Sequence, residues 1–155
     1  MAVFFGTYVN KVDRKGRVSV PARYRTAIRE QEFQGIVAAP AFEAGAIDAC
    51  DFDRINEVVQ RLDVPGAYTP EQREIAELML ARSEELPFDS EGRVLLPQSL
   101  LELAGIDGQA LFVGVGRSFQ IWDPERRKGY EDETLAKAGG KPLSLKDLPN
   151  LGRAG

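Results

Sequence analysis

With 155 residues, 43% of them hydrophobic, the chain is long enough to bury one core or two very small ones. It holds no histidine and a single cysteine, Cys50, which excludes an intrachain disulfide, a zinc site of ordinary Cys/His ligands and all catalysis that needs an imidazole. A formal charge of −4 taken alone argues against nucleic acid, so any basic surface has to be local. The longest apolar run near the start is Ala2 to Phe5, without a basic flank, and no stretch of twenty apolar residues follows. Neither a signal peptide nor a membrane span is expected, and the expected location is the cytoplasm.

In chain order, the first punctuation is DRKGRVSVP, Asp13 to Pro21. Asp13 and Gly16 between β-rich segments mark a turn, because Asp can bond its own backbone and Gly can take a positive φ. Pro21, with no N–H and a preset φ, suits the first turn of a short helix whose apolar stripe is Tyr24 and Ile28. GIVAA and AIDAC then read as strands, with Cys50 a small core residue. Asp51 is a natural N-cap for a helix showing Ile55, Val58, Val59 and Leu62 at helical spacing. Thr69, Pro70 and Gln72 form a capping box with proline at its first position, opening a connecting helix with Ile75, Leu78, Met79 and Arg82 along one side.

The order of events then begins again. DSEGRVLLP, Asp89 to Pro97, repeats Asp, Gly, Arg, Val and Pro of the first turn at a constant offset of 76. A short helix with Leu100, Leu101 and Ala104 follows, stopped by Gly105. ALFVGVG and FQIW read as two further strands, the second placing Phe119 and Ile121 on one face and Gln120 and Trp122 on the other. GVGRSF is only faintly like a dinucleotide fingerprint, since Phe119 stands where a third glycine belongs, and its glycines read as hairpin residues. Asp123 is a natural N-cap for a longer last helix. Each copy is therefore strand, tight turn, strand, short helix, strand, turn, strand, longer helix. After about Lys137, AGGKPLSLKDLPNLGRAG has too few large apolar residues to hold a fold alone, and a loose tail is expected.

Charge separates the two copies. Between Asn10 and Glu30 lie seven cations and two acids, a net of +5, leaving −9 on the rest of the chain. From Asp89 to Leu101 the net is −1. Asp13, Gly16, Asp89 and Gly92 are structural turn residues, present in both copies because the turn requires them. Arg14, Lys15, Arg23 and Arg25 have no equivalent in the second copy, so fold geometry does not demand them. Together with Arg17 they are candidate DNA-binding residues, Arg offering a planar donor fork and Lys a point charge to phosphate. A protruding turn of this kind can follow a DNA backbone while a guanidinium reaches a base edge. Arg17 and Arg93 either bridge their turns to Asp13 and Asp89 or reach outward. For Arg93 a DNA-binding and a structural role both stand, and the structural one is favoured because Asp89 and Glu91 beside it would repel phosphate.

GTYVNKVDRKGRVSVPARYR, the recurrence DSEGRVLLPQSLLELAGI and the later LFVGVGRSFQIWD resemble the MraZ proteins, over about Gly6 to Tyr130. The resemblance implies an α+β, β-rich fold of two tandem AbrB-like units, in a double-split β-barrel-like arrangement with short helices. It implies units at 6–64 and 83–136, joined by a connecting helix at 65–82 and followed by the tail at 137–155. It further implies a transcriptional regulator, acting as a repressor, that assembles into a ring of identical subunits. Such a protein binds short direct repeats in double-stranded DNA upstream of the division and cell-wall gene cluster that includes its own gene, and so associates with the nucleoid. DNA binding in the family goes with a D-x-x-x-R turn, here Asp13 with Arg17 and Asp89 with Arg93. Two other classes remain open at this point: an AbrB-like interaction module of antitoxin type, and a carboxylate hydrolase for which no pocket can be located. No enzyme activity, catalytic residue, metal site, cofactor, membrane contact or small-molecule substrate is assigned.

Overall fold

The computed structural model describes residues 1–41, 44–139 and 144–150. Among these residues, eight strands and five α-helices follow one another in the expected order. The first copy contributes β1 (Thr7–Lys11), β2 (Arg17–Ser19), α1 (Ala22–Ile28), β3 (Gly35–Ala41), β4 (Ala46–Cys50) and α2 (Phe52–Leu62), and α3 (Pro70–Arg82) connects. The second contributes β5 (Glu84–Pro87), β6 (Arg93–Leu95), α4 (Gln98–Ala104), β7 (Gln109–Gly114), β8 (Phe119–Trp122) and α5 (Pro124–Lys137). The fold is α+β and strand-rich, with antiparallel pairing throughout. By its contacts the chain divides into Met1–Pro124 and Glu125–Gly155.

Within the first of these, the strands of the two copies interleave. A six-stranded sheet runs β1-β7-β8-β4-β3-β5, and a separate two-stranded ribbon pairs β2 with β6. The opening strand of each copy thus lies beside the third strand of the other, β1 on β7 and β5 on β3, while β4 and β8 meet in the middle. No ladder joins β1 to β5 among the described residues. All seven residues of β3 are buried, so it reads as a continuous apolar run. Pro40 is tolerated there because the ladder to β5 ends at Ala38, and on that side no N–H is needed.

One core serves both copies. Residues separated by the repeat offset are buried in pairs: Val18 with Val94, Val20 with Leu96, Tyr24 with Leu100, Ile28 with Ala104 and Ile36 with Phe112. Tyr24 stands at the centre, its ring edge-on to Phe4 and Tyr8 and tilted against Phe119, and its hydroxyl donates to the Gly6 carbonyl at 2.8 Å. Burial pushes its pKa up to about 12. Removing a large side chain from water in this way is worth about 1.5–3 kcal/mol. Cys50 is buried, and its thiol is likewise pushed up to about 12, first by desolvation and then by neighbouring Asp51.

Three local expectations need adjustment, and one that holds can be extended. Pro21 and Pro97 sit one position earlier than expected, as N-caps with extended ψ of 137° and 144°, the conformation that lets the chain enter α1 and α4 from β2 and β6. Asp51 holds the N-cap position of α2 but makes no side-chain cap bond. Its fully buried carboxylate accepts instead from Gln31 Nε2 at 2.6 Å and lies 3.7 Å from Arg117, an ionic partner that outweighs a backbone amide. Trp122 does lie on the opposite face to Phe119, but that face is covered, with Ala41, Ala46 and Val113 forming a small second cluster. On α3 the capping box is formed as expected, yet the half-buried Ala76, Met79 and Leu80 line an open groove with Val37 and Ala39 of β3, while Ile75 and Leu78 are exposed.

In Glu125–Gly155, α5 carries an i,i+4 ion pair, Arg127 Nε to Glu131 at 2.7 Å, with the Arg127 guanidinium over the Tyr130 ring. The tail expected after Lys137 falls partly outside the described residues, at 140–143 and 151–155. Its described part includes a 3-10 turn, Leu148–Asn150.

Candidate nucleic-acid interface

The two D-x-x-G-R turns are built alike. In the first, Asp13 Oδ1 accepts from the backbone N–H groups of Lys15 and Arg17, both at 2.9 Å, and Oδ2 accepts from Arg17 Nε at 2.7 Å. In the second, Asp89 Oδ1 accepts from Glu91 N at 2.8 Å and Arg93 N at 2.9 Å, and Oδ2 from Arg93 Nε at 2.9 Å. Main-chain bonds close each loop, Gly16 N to the Asp13 carbonyl and Gly92 N to that of Asp89, with the glycines at φ +93° and +77°. Both carboxyls are held below the usual value of 3.8, chiefly by the backbone N–H of Arg17 for Asp13 and of Arg93 for Asp89.

Each turn leads into one strand of the ribbon, and the two strands are antiparallel. Arg17 lies opposite Leu95, Val18 opposite Val94, and Ser19 opposite Arg93. Alternation sends Val18 and Val94 into the core, leaving Arg17, Ser19, Arg93 and Leu95 on the outer face. The ribbon is tied to the opposite turns by Val20 N to the Gly92 carbonyl and Leu96 N to the Gly16 carbonyl. Three residues of pairing would not hold alone, and the buried valines supply what the ladder lacks. The pKa of Arg93 is raised by its bond to Asp89 first, then by the charges of Glu91 and of Asp13 in the other turn, which marks the two turns as electrostatic neighbours. A two-stranded ribbon is one of the shapes that the major groove of DNA admits.

The described residues contain no helix long and apolar enough to cross a membrane. A family described as "MraZ protein, putative antitoxin-like" matches residues 79–139. The chain is 40% identical over 147 residues to the "Transcriptional regulator MraZ" of Rickettsia canadensis, an alignment covering 95% of this chain and 99% of that protein. With the protein of the same name from Rhodospirillum rubrum the identity is 46% over 145 residues, covering 90% and 93%. The chain belongs to the MraZ family.

In this MraZ-family chain, the structure brings some of the candidate residues together and separates others. Arg14 and Lys15 are exposed at the tip of the first turn, and Arg17 follows on the ribbon with its side chain 40% exposed. Arg93 is on the same ribbon face and is more enclosed, between Asp89 and Glu91 at 2.9 and 3.5 Å. Of the two roles open to each arginine, the bridge across the turn is made in both. It engages Nε and leaves guanidinium donors over.

Arg25 is half-buried against the second turn. Its Nε donates to the Val20 carbonyl at 3.0 Å, and its guanidinium lies where a Cβ on Gly92 would come within 2.6 Å. The equivalent position in the second copy is Leu101, which sits beside Gly16 in the same manner. Arg23, exposed on α1, lies 5.5 Å from the ring centroid of Phe5. Ser19 and Leu95 share the ribbon face with the arginines but were not among the candidates. The alternation R-V-S and R-V-L would have found them.

Proposed function

We propose that this chain is a sequence-specific DNA-binding transcriptional regulator and that it represses by occupying a promoter. What supports the reading is a cluster of cations, Arg14, Lys15 and Arg17, on a protruding turn beside an exposed ribbon, on a chain whose net charge is −4. The names of its relatives point the same way. Residues 6–64 and 83–136 are the two AbrB-like units, in a barrel-like arrangement, with 65–82 as the connection and 137–155 as the tail. The second turn is mainly structural. The operator is a set of short direct repeats upstream of the division and cell-wall gene cluster that includes the chain's own gene, and the protein works in the cytoplasm at the nucleoid.

One protomer presents too few cations for tight binding at physiological salt. A ring of identical subunits raises affinity through effective concentration when its spacing fits that of the repeats. The description of the matched family as antitoxin-like favours a second reading, a module that binds a partner protein rather than DNA. A footprint and titration of the purified chain on its own upstream region separates the two. Arg17→Ala is expected to weaken operator binding by about 1–3 kcal/mol, and Lys15→Ala to weaken all sequences alike while lowering the salt slope by about 0.9. Inserting about 5 base pairs between repeats is expected to abolish the gain from linked sites. Wild-type affinity in a folded Arg17→Ala protein, or indifference to the insertion, defeats this reading.

A further inference from the structure

The outer face of the ribbon carries one large apolar side chain in the open. Leu95 is 55% exposed although its neighbours along the chain, Val94 and Leu96, are buried to 1% and 2%. It stands opposite Arg17, and the next outward positions are Arg93 on its own strand and Ser19 on a diagonal across the ladder. Its side chain lies at the edge of the first turn, approaching to 3.7 Å of where a Gly16 Cβ would lie. At the repeat offset the two arginines of the face correspond, but Leu95 corresponds to Ser19. Ser19 holds the same position in the other strand, so the backbone does not require an apolar residue there. The two ends of the ribbon are therefore alike in their guanidinium and unlike in its partner: Arg17 faces leucine, and Arg93 faces serine.

Resting on the DNA-binding reading above, we propose that Leu95 contacts a thymine methyl group next to the base read by Arg17, and that the contrast with Ser19 adds to the charge difference between the two turns in setting the direction in which each protomer lies on its element. The thymine C5-methyl is an apolar feature of the base edges in the major groove, and apolar side chains recognise it there, while guanine O6 and N7 accept from arginine. Leucine can neither donate nor accept, so it discriminates thymine from cytosine, which offers an N4–H₂ donor and no methyl. A ribbon with identical ends would fit an element of two-fold symmetry. Unlike ends make the element directional, and directional elements repeated head to tail are direct repeats.

The experiment uses the full chain and duplexes of its footprinted element in which each thymine in turn is replaced by deoxyuridine, which keeps the base pair and removes only the methyl. Binding is read by fluorescence anisotropy, with melting temperature and oligomer size measured alongside. Wild type is expected to lose roughly fourfold at one position, the value of one buried methyl-sized group. Leu95→Ala is expected to bind the thymine and deoxyuridine duplexes equally. A flat scan with wild type overturns the proposal, as does Leu95→Ala retaining the wild-type preference. A change of oligomer size in Leu95→Ala with the methyl preference intact also overturns it and assigns Leu95 to a protein contact. A wild-type chain that binds no duplex at all defeats the functional reading itself, and this inference with it.

Discussion

Asp13 and Asp89 each close a turn by accepting three hydrogen bonds, two from backbone amides and one from the arginine four residues on. Because both folded-state pKa values lie below 3.8, the turns contribute fully above that value and lose their contribution as pH falls through the depressed folded values. Carboxyl titration followed by NMR should place both midpoints below 3.8, and a midpoint at or above it for either residue contradicts the geometry. The glycines of the same turns should not be equivalent. Both stand at positive φ, where a side chain costs about 1–2 kcal/mol. A Cβ at position 16 would also lie 2.9 Å from the Leu96 carbonyl oxygen, whereas at position 92 it meets the long Arg25 side chain, which can swing aside. Gly16→Ala should therefore lower the melting temperature more than Gly92→Ala, with about 2–4 °C per kcal/mol for a chain of this size. Equal or reversed shifts would count against this account. At this scale the turn chemistry was legible in D-x-x-G-R, since each residue acts within four positions of the next. The position of Arg25 was not, because it lies over a turn 64 or more residues away in sequence.

Among the helices, α3 makes its own start. Thr69 accepts from Gln72 N at 3.2 Å and Thr69 N donates to Gln72 Oε1 at 3.0 Å, with Pro70 in the first turn. Thr69→Ala should cost about 1 kcal/mol, measured by urea unfolding, and Thr69→Ser should recover most of it. A neutral Thr69→Ala would mean that packing against β3 and α2 alone positions the helix. The cap was readable because it is a local exchange of bonds. Which side of α3 faces inward was not, because its apolar residues are spread around the helix and the approach to β3 selects Ala76, Met79 and Leu80. Asp51 shows the same limit. Its position in the chain is that of a cap, but Gln31 and Arg117, brought from distant segments, take its carboxylate.

For the first 124 residues, interleaving has a direct consequence. Among the described residues β1 finds its ladder only on β7, and β5 only on β3, so neither half of the chain can complete its share of the sheet. Residues 1–82 or 83–155 expressed alone should lack native far-UV and near-UV circular dichroism, and mixing or co-expressing them should restore both. A cooperatively folded single half would show that the copies are independent modules. The buried pairs at the repeat offset make the same point energetically, since Val18 and Val94, or Tyr24 and Leu100, enter one core and not two.

By itself the sequence determined the order of elements, the turn skeleton, the helix start at Thr69 and the place where positive charge gathers. Each of these follows from interactions within a few residues or from composition along a short stretch. Only the tertiary structure decided that the two copies exchange strands, that Arg17 and Arg93 share one face of a ribbon with Ser19 and Leu95, and that Arg25 packs on the second turn. These are long-range pairings, and the repeat that announces two equivalent halves does not state which half each strand will join. Register between β2 and β6 settles what stands opposite Arg17, and register is set by the burial of Val18 and Val94 in a core that the whole sheet has to build.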